Sequence, residues 1–208
     1  MTTPEHALVG IHLALACGRA PVWGWRAVAL AGLMSNMPDW DGLPMLVNMA
    51  RFEPGHRVWG HNLLSITLTS LLVAAVFSRW DVLGRVGNRV AGRFGGPELG
   101  GIMAKDAGLL AFLPALLVCL VSQTMHLPCD MVASGGRGLS HWHVKPFWPF
   151  SDAGFVYPMI PWGDVGPTVV MMAGVIFMAR RRRDIALTSA ATLLCLMVYL
   201  LARRFVMS

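Results

Sequence analysis

The sequence predicts an all-α membrane protein, a polytopic helix bundle embedded in the bilayer. Hydrophobic residues make up 55% of the 208 residues, and charged residues only 13%, against roughly 25% in soluble domains. The apolar residues are also concentrated in blocks, four of which approach the roughly 20 residues that a helix needs to cross a bilayer. We therefore treat residues 1–208 as a single integral membrane domain.

The longest apolar stretches define four predicted spans and two shorter helices. The spans are residues 62–78, 107–127, 165–179 and 185–202. At a rise of about 1.5 Å per residue, the first, third and fourth are short for a hydrocarbon core, so flanking residues or a thinned bilayer must compensate. Two shorter apolar runs precede the spans, 7–17 and 27–37. They fit short spans, half-embedded helices or a buried hairpin.

Three polar stretches separate these segments. Residues 38–61 carry Pro, Gly and two Asp, and residues 79–106 are basic and glycine-rich, which favours a flexible surface linker. Residues 128–164 are dense in Pro, Gly, Trp and His. A loop this long is usually functional or disordered, and its aromatic content argues against disorder. Because Trp and Tyr prefer the membrane interface, we predict an aromatic-rich interfacial loop here.

Counting Lys and Arg orients the predicted bundle. If the four spans alternate and the two short segments enter and return, eleven of the 17 Lys and Arg fall on one side. These are Arg19, Arg26, Arg79, Arg85, Arg89, Arg93, Lys105, Arg180, Arg181, Arg182 and Arg183. The positive-inside rule places that side in the cytoplasm. The membrane we expect is a bacterial inner membrane. The loops 38–61 and 128–164 then share the non-cytoplasmic face.

The positive charge predicts lipid partners. The net charge is +6, and the basic residues flank apolar segments, which suits anionic lipid headgroups better than nucleic acid. We therefore expect membrane lipids as partners and no nucleic acid. The sequence does not indicate an oligomeric state.

Carboxylates and histidines that could bind a cation gather on the predicted non-cytoplasmic face. Asp39 and Asp41 form a D-x-D pair, whose oxygens suit divalent cations, although a helix end followed by a polar turn would look the same. His126 and Asp130 are four residues apart, which places them on one face of a helix. Pro128 lies between them and disfavours the helical conformation just before it, so a kink is expected there.

Further candidates lie near the N-terminus and before the first span. His56 and His61 do not share a helix face, but a loop leading into a helix could aim both inward. Arg57 suits a developing negative charge, such as a phosphoryl oxygen, or a basic interfacial anchor. His6 taken alone is typical of a solvated histidine.

Taken together, these side chains favour a metal centre. Burying carboxylates beside lipid costs several kcal/mol unless each is paired or metal-bound. Nitrogen and oxygen ligands without a thiolate cluster suit one or two divalent ions, with zinc first and manganese or iron as alternatives. Such an ion lowers the pKa of a bound water and yields a nucleophile near neutral pH.

Five short motifs, in this order, resemble a known family. They are E-H-A-L-V-G at 5–10, M-P-D-W-D at 37–41, G-H-R-V-W-G-H-N at 55–62, H-L-P-C-D at 126–130 and F-W-P-F-S at 147–151. The set resembles the YdjM-like family of membrane-bound metal-dependent hydrolases. The resemblance implies a multi-helix membrane protein with metal-site positions at His6, Asp39, Asp41, His56, His61, His126 and Asp130. The chain departs from the family pattern at Asn62, Pro128 and Cys129.

The expected function is therefore a metal-dependent hydrolase working at the membrane face. We expect Asp41 and Arg57 to be catalytic and the substrate to be amphiphilic, such as a phospholipid or a lipid-linked phosphoester. One alternative is a non-enzymatic metal binder or transporter, although transport needs polar ligands at mid-span, where only His12 qualifies. Another is a structural or regulatory membrane protein whose polar residues form a hydrogen-bonded plug.

Overall fold

The computed structural model of the chain describes residues 1–47, 56–94, 109–136, 141–181 and 184–207. Within these ranges the chain is helical, with isolated β-bridges and no strand, which confirms the all-α class. The described α-helices are α1 (Thr3–Ala16), α2 (Ala20–Met34), α3 (Leu63–Arg79), α4 (Val82–Phe94), α5 (Phe112–Val132), α6 (Gly166–Arg180) and α7 (Ile185–Met207). A 3₁₀ helix, Met37–Leu46, lies between α2 and α3.

The two short N-terminal segments form a helical hairpin, one of the arrangements that the sequence left open. A capping box closed by Glu5 starts α1, and Gly18, at φ 65°, ends it in the left-handed conformation that glycine adopts without strain. The helices approach closely at Gly10, where a Cβ would lie 2.6 Å from the Ala31 carbonyl oxygen and against the Ser35 side chain. Small residues allow such close approach in membrane bundles.

The packing of α3 against α5 includes buried polar contacts. Gln123 of α5 donates to Ser70 Oγ at 2.7 Å and accepts from Thr69 Oγ1 at 2.9 Å. Asn62 caps α3, because its side-chain oxygen accepts from the backbone N–H of Ser65 at 2.8 Å. Asn is a strong N-cap residue, so Asn62, where the chain departs from the family pattern, has a clear structural role at the start of α3.

The prediction of a flexible linker is wrong for residues 82–94, which form α4. This helix follows α3 after a bend of 68°. Asp81 accepts from the backbone N–H of Gly84 at 2.8 Å and receives two hydrogen bonds of 2.9 Å from Arg26 of α2. The cap and the ion pair outweigh the low helix propensity of glycine. The remaining linker residues, 95–106, lie outside the described part of the chain.

All four predicted spans coincide with helices, but fewer of these satisfy the length and composition of a membrane span. Among the described residues, Phe112–Val132 and Ile185–Val206 are long and apolar enough to cross a bilayer, and the bent pair α3 and α4 adds a third if it is one span. The helix α6 is apolar but shorter. The described part of the chain thus has two or three candidate spans, and the arrangement with four is not confirmed.

The helix α5 extends beyond its predicted end at residue 127 and continues through Pro128 to Val132. Irregular chain covers this end of the helix, with an isolated parallel bridge between Ala133 and Ile160. The backbone N–H of Tyr157 donates to the Met131 carbonyl at 2.9 Å. The predicted loop is therefore attached to the end of α5, whereas its place at the membrane interface stays a prediction.

The close approach of α1 and α2 predicts unequal effects of two glycine substitutions. We expect Gly10→Ala to lower the thermal stability of the protein in detergent, because the new methyl group meets the backbone of α2. Overpacking of this kind costs about 1–3 kcal/mol. Gly32→Ala is the matched control, since its Cβ would meet the flexible Ile11 side chain at 3.0 Å and the Ala7 carbonyl oxygen at an ordinary contact distance of 3.6 Å. Equal melting temperatures for the two variants would contradict the hairpin contact.

Candidate metal centre

Four side chains converge on one largely buried point, and we refer to them as the four-donor cluster. Asp39 comes from the 3₁₀ helix, His61 from the loop before α3, and His126 and Asp130 from the last turns of α5. His61 Nε2 lies 3.0 Å from His126 Nε2 and 3.2 Å from Asp130 Oδ2. Asp39 Oδ1 lies 3.4 Å from His126 Nε2 and 3.7 Å from His61 Nε2.

Five of the six separations between the four donor atoms are close to those expected around one tetrahedral ion, and all four atoms lie within 4.8 Å of one another. Metal–ligand distances of 2.0–2.2 Å place the corners of a regular tetrahedron about 3.3–3.6 Å apart. The distances above run from 3.0 to 3.7 Å, and His126 Nε2 lies 3.5 Å from Asp130 Oδ2. The donor set could therefore hold a metal ion, although two imidazoles and two carboxylates do not by themselves determine which metal.

Hydrogen bonds on the far side of each imidazole fix which nitrogen faces the cluster. His126 Nδ1 lies 2.6 Å from the Ser35 carbonyl oxygen, which can only accept, so this nitrogen carries the proton. His61 Nδ1 lies 2.9 Å from Asp41 Oδ2 and carries a proton for the same reason. In the neutral tautomers, the Nε2 atoms of His61 and His126 then carry lone pairs. These lone pairs and two carboxylate oxygens point to the same position. Partners of this kind orient metal-ligating histidines.

Asp41 lies behind the cluster. It is fully buried, and its oxygens accept from His61, from His56 Nδ1 at 3.1 Å and from the backbone N–H of Gly60 at 2.9 Å. Burial alone would raise the pKa of Asp41, but the hydrogen bonds from His56 and His61 lower this pKa to about 2. Asp41 was predicted as a metal ligand and as a catalytic group. In the structure it contacts the four-donor cluster through its hydrogen bond with His61.

The 3₁₀ helix explains how the D-x-D pair is used. About three residues complete a turn of such a helix, so Asp39 and Asp41 leave it in different directions. Asp39 approaches the Nε2 side of His61 and Asp41 approaches its Nδ1 side. The two carboxylates therefore contact opposite nitrogens of one imidazole instead of converging on one point, as the sequence had suggested.

His6 and His56 also lie at this centre, outside the four-donor cluster. The His6 ring stacks on the His126 ring with centroids 3.7 Å apart, and His6 Nε2 lies 3.0 Å from Asp130 Oδ1. The same oxygen is 2.6 Å from the amino group of Met1. His56 contacts Asp41, as described above, and lies edge-on to the Trp142 ring. His6 thus contacts two residues of the cluster, whereas His56 contacts Asp41 behind it.

The contact between His126 and Asp130 shows that α5 remains helical across Pro128. Their donor atoms are 3.5 Å apart with the i, i+4 spacing of a helix. The kink expected at Pro128 stays a prediction, but the i, i+4 contact is kept across the proline. We attribute this to the many partners of Asp130, which hold the last turn in place.

Arg57 is buried beneath the cluster in a left-handed conformation, at φ 61°. Its Nε lies 3.2 Å from Asp130 Oδ2, and its Nη1 donates to the carbonyl oxygens of Asp130 at 3.0 Å and Trp142 at 3.1 Å. Its Nη2 donates to the Ala133 carbonyl at 3.3 Å. Arg57 therefore closes the C-terminal end of α5, and its predicted action on a substrate stays a prediction.

Sequence reasoning missed several partners of the centre, and Ser35 and Trp142 are two of them. Ser35 contributes a backbone carbonyl, and a main-chain group leaves no signal in the residue type. Trp142 also contributes its carbonyl, and its ring lies 5.3 Å from the Arg57 guanidinium, a cation–π geometry. The histidine and arginine motifs predicted the side chains of the centre, whereas the backbone acceptors depend on the fold.

The centre opens toward solvent at Asp39. The side chain of Asp39 is 23% exposed, whereas those of His61, His126 and Asp130 are at most 2% exposed. Asp39, Asp41 and Asp130 bring three negative charges, which outnumber the adjacent cations Arg57 and the Met1 amino group. These features define a class of protein: a helical membrane protein with a buried His/Asp centre suited to a cation.

The chain belongs to the YdjM family. The family model described as YdjM inner membrane protein matches residues 1–206, which confirms the resemblance and supports an inner-membrane location. No curated protein and no solved structure matches the chain. The family description includes no reaction, so the chemistry must be argued from the centre.

Asp41→Asn tests whether the centre binds an ion through an oriented His61. The Asp41 carboxylate accepts hydrogen bonds from the imidazole N–H groups of His56 and His61. The amide of the variant has one oxygen and can accept from at most one of them. We expect zinc affinity to fall about 10- to 100-fold, as for other partners of ligating histidines, measured by competition with a chromophoric chelator. Asp152→Asn is the control, because this exposed carboxylate pairs with Lys145. Unchanged affinity in Asp41→Asn would exclude the proposed orientation.

Proposed function

We propose that the chain is a membrane-embedded metal-dependent hydrolase whose ion is held by Asp39, His61, His126 and Asp130. The observation that carries this proposal is the convergence of four donor atoms within 4.8 Å of one another, with the Nε2 atoms of His61 and His126 turned inward by Asp41 and Ser35. The chemistry that such an ion supplies is activation of water as a nucleophile near neutral pH. Zinc suits this donor set best, with manganese and iron as alternatives.

The exposure of Asp39 supports access to the centre. Catalytic zinc sites keep one position for water or substrate, whereas structural sites have four protein ligands. Asp39 is the exposed member of the cluster and belongs to a short 3₁₀ helix, whereas the other three donors are buried. In our proposal a water or a substrate oxygen would reach the centre beside Asp39, the one donor of the cluster that is partly exposed.

Asp41 and Arg57 act as positioning residues in this proposal. Asp41 keeps the proton on Nδ1 of His61 and thereby keeps Nε2 available as a ligand. Arg57 places a permanent positive charge 3.2 Å from Asp130 and fixes the end of α5 through its hydrogen bonds to the last carbonyl oxygens. Both roles explain why these residues are buried behind the donors.

A lipid phosphoester is the substrate class that the surroundings favour. Trp40 and Trp59 are exposed near the 3₁₀ helix and the loop before α3, and exposed Trp side chains suit a membrane interface. We place the loop of residues 128–164 at the same interface and adopt the topology with four spans. The Lys and Arg count then puts the centre on the non-cytoplasmic face. Arg51, Lys105, Arg137, Arg182 and Arg183 enter this count but lie outside the described residues.

A second candidate is a non-enzymatic metal-binding or regulatory membrane protein. One observation favours it, namely that four protein donors converge on one point, which is the number of protein ligands in structural zinc sites. The two candidates agree on the ion and differ on turnover. Metal content together with activity therefore separates them.

His126→Ala tests the hydrolase proposal. We expect the wild-type protein, purified in mild detergent, to contain a divalent metal and to hydrolyse a phospholipid or a polyprenyl phosphoester. His126→Ala should lose both metal content and turnover, measured by elemental analysis and by released phosphate or headgroup. His143→Ala is the matched control, because His143 is exposed and does not contact the cluster. Bound metal without turnover on either substrate would favour the second candidate.

A further inference from the structure

The helix α4 lies at the end of the bundle opposite the metal centre. The helix α3 begins one residue after Asn62, beside the centre, and its 17 residues carry the chain away over about 25 Å. The chain then bends by 68° into α4. If α3 stands across the bilayer, this bend turns α4 close to the plane of the membrane.

Two stripes of side chains run along α4. Val82, Val86 and Val90 are exposed large hydrophobic residues at i, i+4 and i+8, so they form one apolar stripe. A basic stripe with the same spacing runs beside it, composed of the exposed residues Arg85, Arg89 and Arg93. An exposed apolar stripe next to a basic stripe is the pattern of a helix that lies in the membrane interface.

The position of α4 is held by contacts with the bundle. The bidentate pair between Arg26 and Asp81 ties its start to α2, and Asp81 also caps its first turn at Gly84. Gly84 is buried, and a Cβ there would meet the Asp81 carboxylate. Leu83 packs against the core cluster formed by α2, α3 and α5. The two stripes therefore keep a fixed direction relative to the candidate spans.

We propose that α4 is a binding site for anionic phospholipid headgroups, with Arg85, Arg89 and Arg93 on the phosphates and the Val stripe in the acyl region. The charge of the basic stripe complements an anionic leaflet. The apolar stripe beside it and the position at the end of a candidate span favour lipid over nucleic acid or a protein partner. This proposal does not depend on the hydrolase activity.

The depth of α4 tests the first half of the proposal. A spin label would be placed at Val86→Cys or at Asn88→Cys, in full-length protein whose exposed Cys17 and Cys195 are replaced by Ser. In nanodiscs with anionic lipid, we expect the label at 86 to be accessible to oxygen and the label at 88 to be accessible to a water-soluble nickel complex. Equal accessibility of both labels to nickel would overturn the interfacial placement.

The lipid preference of α4 tests the second half. Native mass spectrometry would compare retention of phosphatidylglycerol and phosphatidylethanolamine by the full-length protein in detergent. We expect Arg89→Gln with Arg93→Gln to lower the preference for phosphatidylglycerol by about fivefold per arginine, and the matching Lys substitutions to retain it. Lys145→Gln with Arg204→Gln removes the same charge at the opposite end of the bundle and should change the preference little.

Each contrary result identifies a different error. An unchanged lipid preference in the Gln variant would overturn the proposal, provided that its elution profile and melting temperature match the wild type. Equal loss of both lipids would assign the contact to apolar packing and would also overturn it. If the wild type bound a duplex oligonucleotide through the same arginines without preferring phosphatidylglycerol, the site would be a nucleic-acid site.

Discussion

The four-donor cluster is subject to one electrostatic constraint: with neutral imidazoles, two nitrogen lone pairs and two carboxylate oxygens are directed at the same largely buried point. Such groups repel one another, and the repulsion is strong where little water screens it. The surrounding contacts maintain this direction, because the Ser35 carbonyl and Asp41 hold the protons of His126 and His61 on the far nitrogens. A cation among the four donors turns this repulsion into attraction, and the arrangement is therefore understandable as a site built around positive charge.

The fold supplies this constraint through close helix packing. The carbonyl of Ser35 reaches His126 because α2 ends beside α5, and α2 is held there by its close approach to α1 at Gly10. Arg57 adopts a left-handed conformation, rare for a side chain of its size, and thereby reaches the last carbonyls of α5. Carbonyls at a helix end need partners, so one arginine both completes α5 and places positive charge beside Asp130.

The sequence predicted the helices and the chemistry of the centre better than its geometry. Apolar blocks predicted every candidate span, and the residue types of the motifs predicted a centre of His and Asp. The spacing of Asp39 and Asp41 could not show that they contact opposite nitrogens of His61, because that depends on a 3₁₀ turn and on a histidine twenty residues away. The glycines of α4 suggested a flexible linker. The sequence could not show the contact that stabilises this helix, because the pair of Arg26 and Asp81 joins residues distant in sequence.

The opposite ends of α3 have different physical requirements. If the four-donor cluster acts on a lipid phosphoester, as we propose, it must stay at the depth of the lipid headgroups. Apolar helices alone resist displacement along the membrane normal only weakly. The basic stripe of α4 resists movement into the hydrocarbon, where a charged side chain costs several kcal/mol, and the Val stripe resists movement into water. Because α3 connects the two ends as one continuous helix, a fixed depth of α4 also fixes the depth of the metal centre about 25 Å away.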